Sequence, residues 1–259
     1  MAEWTCRVME EYPNFNIVGE EWTSNPALIA HWQRGKVNPN GYTSCLPSLF
    51  DFPLQSTLVN ALNEPEDKYF SGWIKLYEML ANDFLYADPF NLVIFCDNHD
   101  MSRFYTEIGE DNNKFMTGIA WLMTMRGIPQ VYYGTEILMG NPNSNAHGEI
   151  RSDFPGGWPE DSLDAFSQSG LSEDQRMSLS FFKQLQNWRK QKEVIHKGKL
   201  MQFAPEDGVY VFFRYDDKEK VMTILNKNET EKFLDLSRFH EILYDVNIGK
   251  DIISGKEYN

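Results

Sequence analysis

Glu20 closes the run Ile17-Val18-Gly19, and His99-Asp100 closes Phe95-Cys96-Asp97-Asn98, so that two carboxylates stand where short apolar segments stop abruptly. A buried parallel strand reads as a continuous apolar run that ends where its side chains reach a rim. Two acids delivered from different strands can share one sugar. Such chemistry needs a carboxylic acid held protonated to donate to a departing glycosidic oxygen and then able to act as base toward water. Spacing alone leaves plainer readings open: Glu20 as a surface or capping residue, and Asp100 as the cap of a following helix. A metal reading of Asp97, His99 and Asp100 is weaker, because no second histidine lies at ligand spacing.

The elements that must position these residues alternate. The spacing predicts a helix over 1–12, a strand over 15–19, a loop rich in Asn, Pro and Gly, a proline-bracketed strand over 45–53 and a helix over 56–62. It then predicts helices over 73–85 and 114–125, strands over 92–96 and 128–133, and a long helix from the N-cap Ser172 to about 192. Strand alternating with helix implies a parallel sheet, and the short regular spacing suits a barrel better than an open sheet. About four such units are present, half of the eight a closed barrel requires. From Lys199 the pattern turns to short alternating strands, 209–215 and 221–226 about a turn at Asp216-Asp217, followed by a strand and turn over 251–259. The expected fold is α/β: half of a (β/α)8 barrel over 1–197, followed by a small antiparallel β-sandwich domain over 198–259, truncated at both ends.

Composition limits the partners. The formal net charge of −14 argues against nucleic acid and anionic lipid surfaces, whereas a neutral polysaccharide meets no such repulsion. Seven Trp and twelve Tyr supply flat faces on which sugar rings stack, although most aromatics in any domain are core. Cys6, Cys45 and Cys96 are odd in number, lack zinc spacing and read as free buried thiols. No run approaches a membrane span, and the first residues do not read as an export signal.

Val18-Gly19-Glu20-Glu21-Trp22, Phe95-Cys96-Asp97-Asn98-His99-Asp100 and Gly127-Ile128-Pro129-Gln130-Val131-Tyr132-Tyr133-Gly134-Thr135-Glu136 resemble, in order and spacing, three motifs of the α-amylase family, glycoside hydrolase family thirteen. The loop 138–158, with Arg151-Ser152-Asp153-Phe154-Pro155-Gly156-Gly157-Trp158, resembles neopullulanase- and cyclomaltodextrinase-like members of Bacteroides-type starch-utilisation systems. The resemblance implies retaining cleavage of α-glucans, with Glu20 as acid/base and Asp100 as the third carboxylate. His99, Trp22, Asn98 and Arg103 are the implied substrate-binding residues, Arg103 either orienting a carboxylate or pairing on the surface. Glu21, adjacent to Glu20 on a strand, points elsewhere. Tyr132, Tyr133 and Glu136 fall in a family segment that mainly packs the last barrel strand against the first.

The family nucleophile belongs to a Gly-x-Arg-x-Asp segment on the preceding strand, and no residues of this sequence correspond to it. Arg151-Ser152-Asp153 imitates it superficially and reads as a decoy or a substrate-loop element. The expectation is therefore a C-terminal portion, inactive alone, of a periplasmic or secreted α-glucan hydrolase acting on starch, pullulan, cyclodextrin or malto-oligosaccharide. The alternative is a non-catalytic carbohydrate-binding or interaction protein derived from such a barrel. The sequence requires no cofactor; calcium is left open, with no ligands assignable in this chain. Two open strand edges would favour a homodimer.

Overall fold

The structure, a computed structural model, describes residues 1–258. Four short parallel strands, β1 (Val18–Gly19), β2 (Ser48–Leu49), β3 (Val93–Phe95) and β4 (Ile128–Gln130), lie side by side in chain order. Val18 faces Ser48 and Gly19 faces Leu49; a bridge from Phe50 to Val93 joins the two strand pairs, and Val93 faces Ile128. Parallel neighbours need long crossovers. Here these carry the helices Pro26–Trp32, Phe52–Asn63, Trp73–Ala81 and Asn112–Thr124, with Glu173–Lys190 following β4.

Local chemistry sets the helix starts. Asn25 Oδ1 accepts from Ala27 N with Pro26 in the first turn, and Asp51 Oδ1 accepts from Leu54 N. Ser172 and Gln175 form a reciprocal capping box. These caps also correct the expectations. The helix capped by Asp51 starts at Phe52, four residues ahead of the expected Ser56, because Asp51 Oδ1 satisfies the free amide of Leu54. Residues 26–32, expected as loop, are helical for the same reason. At the first helix (Ala2–Glu11) Met1 and Trp4 are exposed, while Val8 and Met9 pack inward. Gly127 lets β4 close on β3: at φ +99°, a Cβ there would stand 2.8 Å from the Leu92 carbonyl.

Beyond the helices lies an antiparallel sheet, β5 (Lys199–Glu206), β6 (Val209–Tyr215) and β7 (Lys220–Asn226), with β6 central, and a two-stranded ribbon of β8 (Gly249–Lys250) and β9 (Glu257–Tyr258). β5 is a strand that the sequence reading did not delimit, and Asn259 of the expected terminal strand lies outside the described residues. β6 is buried on both faces. Tyr210 and Phe212 join the core of Trp73, Leu76, Phe115 and Phe182, whereas Val209, Val211 and Phe213 pack on Phe239 and Ile242. The β module is thus fused to the barrel helices through a common core, sealed by Trp73 Nε1 donating to Gly208 O.

Cys6 and Cys45 form a disulfide, which corrects the reading of three free thiols; only Cys96 among them is unpaired, and it is buried. Thirty-nine residues separate the partners, so no spacing motif marks them. The fold brings them together by docking the loop before β2 on the first helix, where Thr5 Oγ1 accepts from Cys45 N.

Candidate active site

Glu20 and the segment Asp97–Asp100 follow the C-terminal ends of β1 and β3, two strands apart in the same parallel array. Neighbouring strand axes are about 4.8 Å apart, which places the two strands on the order of 10 Å from each other. Gly19 permits the close approach of β1, since a Cβ there would meet Leu46 Cδ2 at 2.6 Å. Glu20 is exposed, and its carboxylate makes no side-chain hydrogen bond among the described residues. Its neighbour Glu21 turns the other way and accepts from Trp32 Nε1 at 2.9 Å, as strand alternation predicts.

An aromatic floor links the two strand ends. Trp22 stacks on Phe52 at 4.9 Å between ring centres, and Phe52 meets Phe95 edge-on at 5.0 Å. Trp22 is 56% exposed, so one side of its ring is packed and the other is open to a ligand.

At the end of β3, Asn98 Oδ1 accepts from Asp100 N at 2.8 Å and fixes the turn that presents Asp100. His99 Nε2 lies 3.3 Å from Asp100 Oδ2. Arg151 completes the cluster: its Nη2 donates to Asp100 Oδ1 at 2.5 Å, its Nε donates to the His99 carbonyl at 2.9 Å, and its Nη2 stands 2.6 Å from His147 Nδ1. In the sequence Arg151 reads as part of a decoy or a substrate-loop element, and His147 carries no signal. The fold recruits both across about fifty residues of chain.

Two of the residues expected to contact a ligand, Arg103 and Asn98, are buried. Arg103 is wholly buried: its Nε donates to Ile150 O at 2.9 Å, its Nη1 donates to Tyr133 O, and its guanidinium lies over the Tyr132 ring at 4.1 Å. It anchors the backbone beside Arg151 rather than facing a sugar. Asn98 is buried as well and uses its amide oxygen on Asp100. For Arg103 the covering groups come from the segment after β4, Tyr132, Tyr133 and Ile150.

Asp97 is buried beneath this turn. Burial raises its pKa to about 6, despite hydrogen bonds from Phe104 N and Thr135 Oγ1 and the nearby Arg103 charge. Because the folded value exceeds the ordinary 3.8, the stability this group contributes is full below about pH 4 and is lost as pH rises through 6. Asp97→Asn removes the titration. The stability of the variant relative to the parent is expected to rise by up to about 3 kcal/mol between pH 4 and 7, on top of a constant offset from altered hydrogen bonding. Urea midpoints across that range check it; a difference independent of pH would refute the assignment.

A family model described as the α-amylase catalytic domain matches residues 1–162, and one described as the cyclo-malto-dextrinase C-terminal domain matches 200–259. Alpha-amylase 3 of Dictyoglomus thermophilum is 25% identical over 257 residues, covering 91% of this chain and 48% of its own length. A cyclomaltodextrin glucanotransferase of Geobacillus stearothermophilus is 26% identical over 236 residues, covering 89% of this chain and 29% of its own. The chain therefore spans less than half the length of these curated relatives. Among solved structures, AmyP in complex with maltose superimposes with a TM-score of 0.73 at 18% identity, over 94% of this chain and 51% of its own. The α-amylase of Geobacillus thermoleovorans complexed with acarbose gives 0.67 at 22%, over 87% and 44%. The four parallel strands and their helices correspond to half of such a barrel, followed by the antiparallel sheet.

Proposed function

The chain belongs to the α-amylase family, and on that premise we propose that it supplies Glu20 as acid/base and Asp100 as the supporting carboxylate of a retaining α-glucan hydrolase. The observation that carries this reading is the delivery of both carboxylates to the same end of one parallel array, joined by the Trp22–Phe52–Phe95 floor. Glu20 protonates the departing glycosidic oxygen and then takes a proton from water. Asp100, oriented by Asn98 and Arg151, binds the hydroxyls of the distorted ring, with His99 donating beside it. Trp22 offers the open side of its ring to a neighbouring sugar.

The aspartate nucleophile of this chemistry is assigned to a complementary half barrel, because double displacement needs a second carboxyl group about 5 Å from the acid. The match to the cyclo-malto-dextrinase C-terminal domain supports a neopullulanase- or cyclomaltodextrinase-like member. The Cys6–Cys45 disulfide supports an oxidising compartment, periplasmic or extracellular. No helix of the described residues is long and apolar enough to cross a membrane.

The test uses a polypeptide that joins this chain to a nucleophile-bearing half barrel and follows maltoheptaose by proton NMR. The first-formed product is expected as the α-anomer, with water as acceptor. A β-anomer would refute retention, and accumulating longer oligosaccharides would mean transfer to a sugar hydroxyl, the reaction named in the glucanotransferase relatives. Binding without any cleavage would favour the non-catalytic carbohydrate-binding alternative.

A further inference from the structure

The segment between Cys6 and Cys45 holds everything that delivers Glu20: β1, the loop with Trp22 and the helix Pro26–Trp32. Little of it is buried. From Glu10 to Leu28, Ile17 is the one buried residue. β1 contributes two residues to the array, paired with Ser48 and Leu49, and one further hydrogen bond runs from Phe50 N to Gly19 O at 3.0 Å. The apolar contacts form a cluster separate from the main core, in which Ile17 and Ile29 pack with Leu46, Leu49, Tyr86 and Leu92. Further ties are peripheral: Gln33 exchanges two hydrogen bonds with the backbone of Asp88, at 2.7 and 3.0 Å, Arg34 N donates to Leu46 O at 2.7 Å, and Trp22 stacks on Phe52. Few buried apolar groups and a two-residue ladder mark a unit that opens ahead of the rest of the fold. The disulfide supplies what packing does not. It closes a loop around this unit, and an opened segment tied at both ends has far fewer conformations than one tied at a single end.

We propose that the Cys6–Cys45 disulfide is a redox latch on the unit that carries Glu20: oxidised, it holds β1 against β2, and reduced, it lets residues 6–45 open while the main core stays folded. The part given to Glu20 in catalysis rests on the reading above, whereas the latch rests on the packing. Both cysteines are half-buried, so a small dithiol reaches the bond between them. A thiolate of the dithiol attacks one sulfur to form a mixed disulfide, and its second thiol then displaces the protein sulfur. The reductant leaves as a cyclic disulfide, and Cys6 and Cys45 each take up one electron and one proton. Cys96, already a buried thiol, has no part in the exchange. A chain in a reducing compartment therefore carries Glu20 on an open unit, and oxidation closes it.

The test is hydrogen exchange read by mass spectrometry on the 259-residue chain: oxidised, reduced with dithiothreitol, re-oxidised, and as the double variant Cys6→Ser/Cys45→Ser. Amides of the helix Pro26–Trp32, with Arg34 N and Phe50 N, are expected to exchange about 10²- to 10³-fold faster in the reduced chain and in the variant, the factor implied by a loop spanning 39 residues. Re-oxidation of the reduced parent is expected to restore their protection. Amides of helix Asn112–Thr124 and of β6 are expected to change by less than about threefold. Equal exchange in the oxidised and reduced chains would overturn the latch. So would an acceleration shared by Asn112–Thr124 and β6, which would make the bond a staple of the whole fold. Either result leaves the acid/base assignment to the Glu20→Gln kinetics, because exchange does not depend on cleavage.

Discussion

Glu20→Gln is expected to lower kcat for α-glucan cleavage by about 10²- to 10⁴-fold, with KM changed only a few-fold, in a polypeptide pairing this chain with a nucleophile-bearing half barrel. The amide is nearly isosteric, and Glu20 is exposed with no side-chain hydrogen bond among the described residues, so the fold loses nothing by the change. What disappears is the transferable proton. A substrate with a leaving group acidic enough to depart unprotonated should therefore recover much of its rate in the first step, which separates loss of an acid from general damage. Steady-state kinetics on maltoheptaose and on an activated aryl glycoside make the comparison. An unchanged kcat on maltoheptaose would remove Glu20 from the mechanism.

Arg126→Met is expected to destabilise the chain by about 3–5 kcal/mol, a large share of the 5–15 kcal/mol typical of a folded domain. Arg126 Nη1 donates to Asp51 Oδ2 at 2.9 Å, and its Nε and Nη2 grip Asp83 at 2.8 and 2.5 Å, with the guanidinium and Asp51 almost wholly buried. Burial alone would lower the Arg126 pKa, but the two carboxylates outweigh it and hold the group charged, above its ordinary value. The three residues tie the cap of helix Phe52–Asn63 to the turn after Trp73–Ala81 and to the entry of β4, beneath the floor that carries Phe52 and Phe95. Methionine fills much of the volume and leaves Asp51 buried without its cation. The deficit should narrow as pH falls, because the orphaned acid can then be buried neutral, and Asp51→Asn in the Arg126→Met background should recover part of the loss. Urea unfolding at two pH values measures both effects; a loss below about 1 kcal/mol would show that the network is dispensable.

The sequence by itself determined what depends on neighbouring residues. The Ser172–Gln175 capping box, the apolar run that becomes β3, the alternation of strand and helix, and the two strand-end carboxylates are all set within a few positions, where capping and periodicity act. The ordered motifs around Glu20, Asp100 and Gly134 added the family, which the catalytic-domain match over 1–162 shows. Two caps escaped that reading: Asn25, inside a loop rich in polar residues, and Asp51, inside a run read as a proline-bracketed strand.

Tertiary structure alone decided which distant groups meet. Arg151 reaches Asp100 because buried Arg103 pins Ile150 and Tyr133 in place, and no local pattern encodes a salt bridge spanning 51 residues. The same holds for Cys6 with Cys45, and for Arg126 between Asp51 and Asp83. It holds also for the burial of Arg103 and Asn98. Periodicity tells a residue which face of its own element it occupies, whereas the charge, burial and reach of a side chain depend on what the rest of the chain lays against that face.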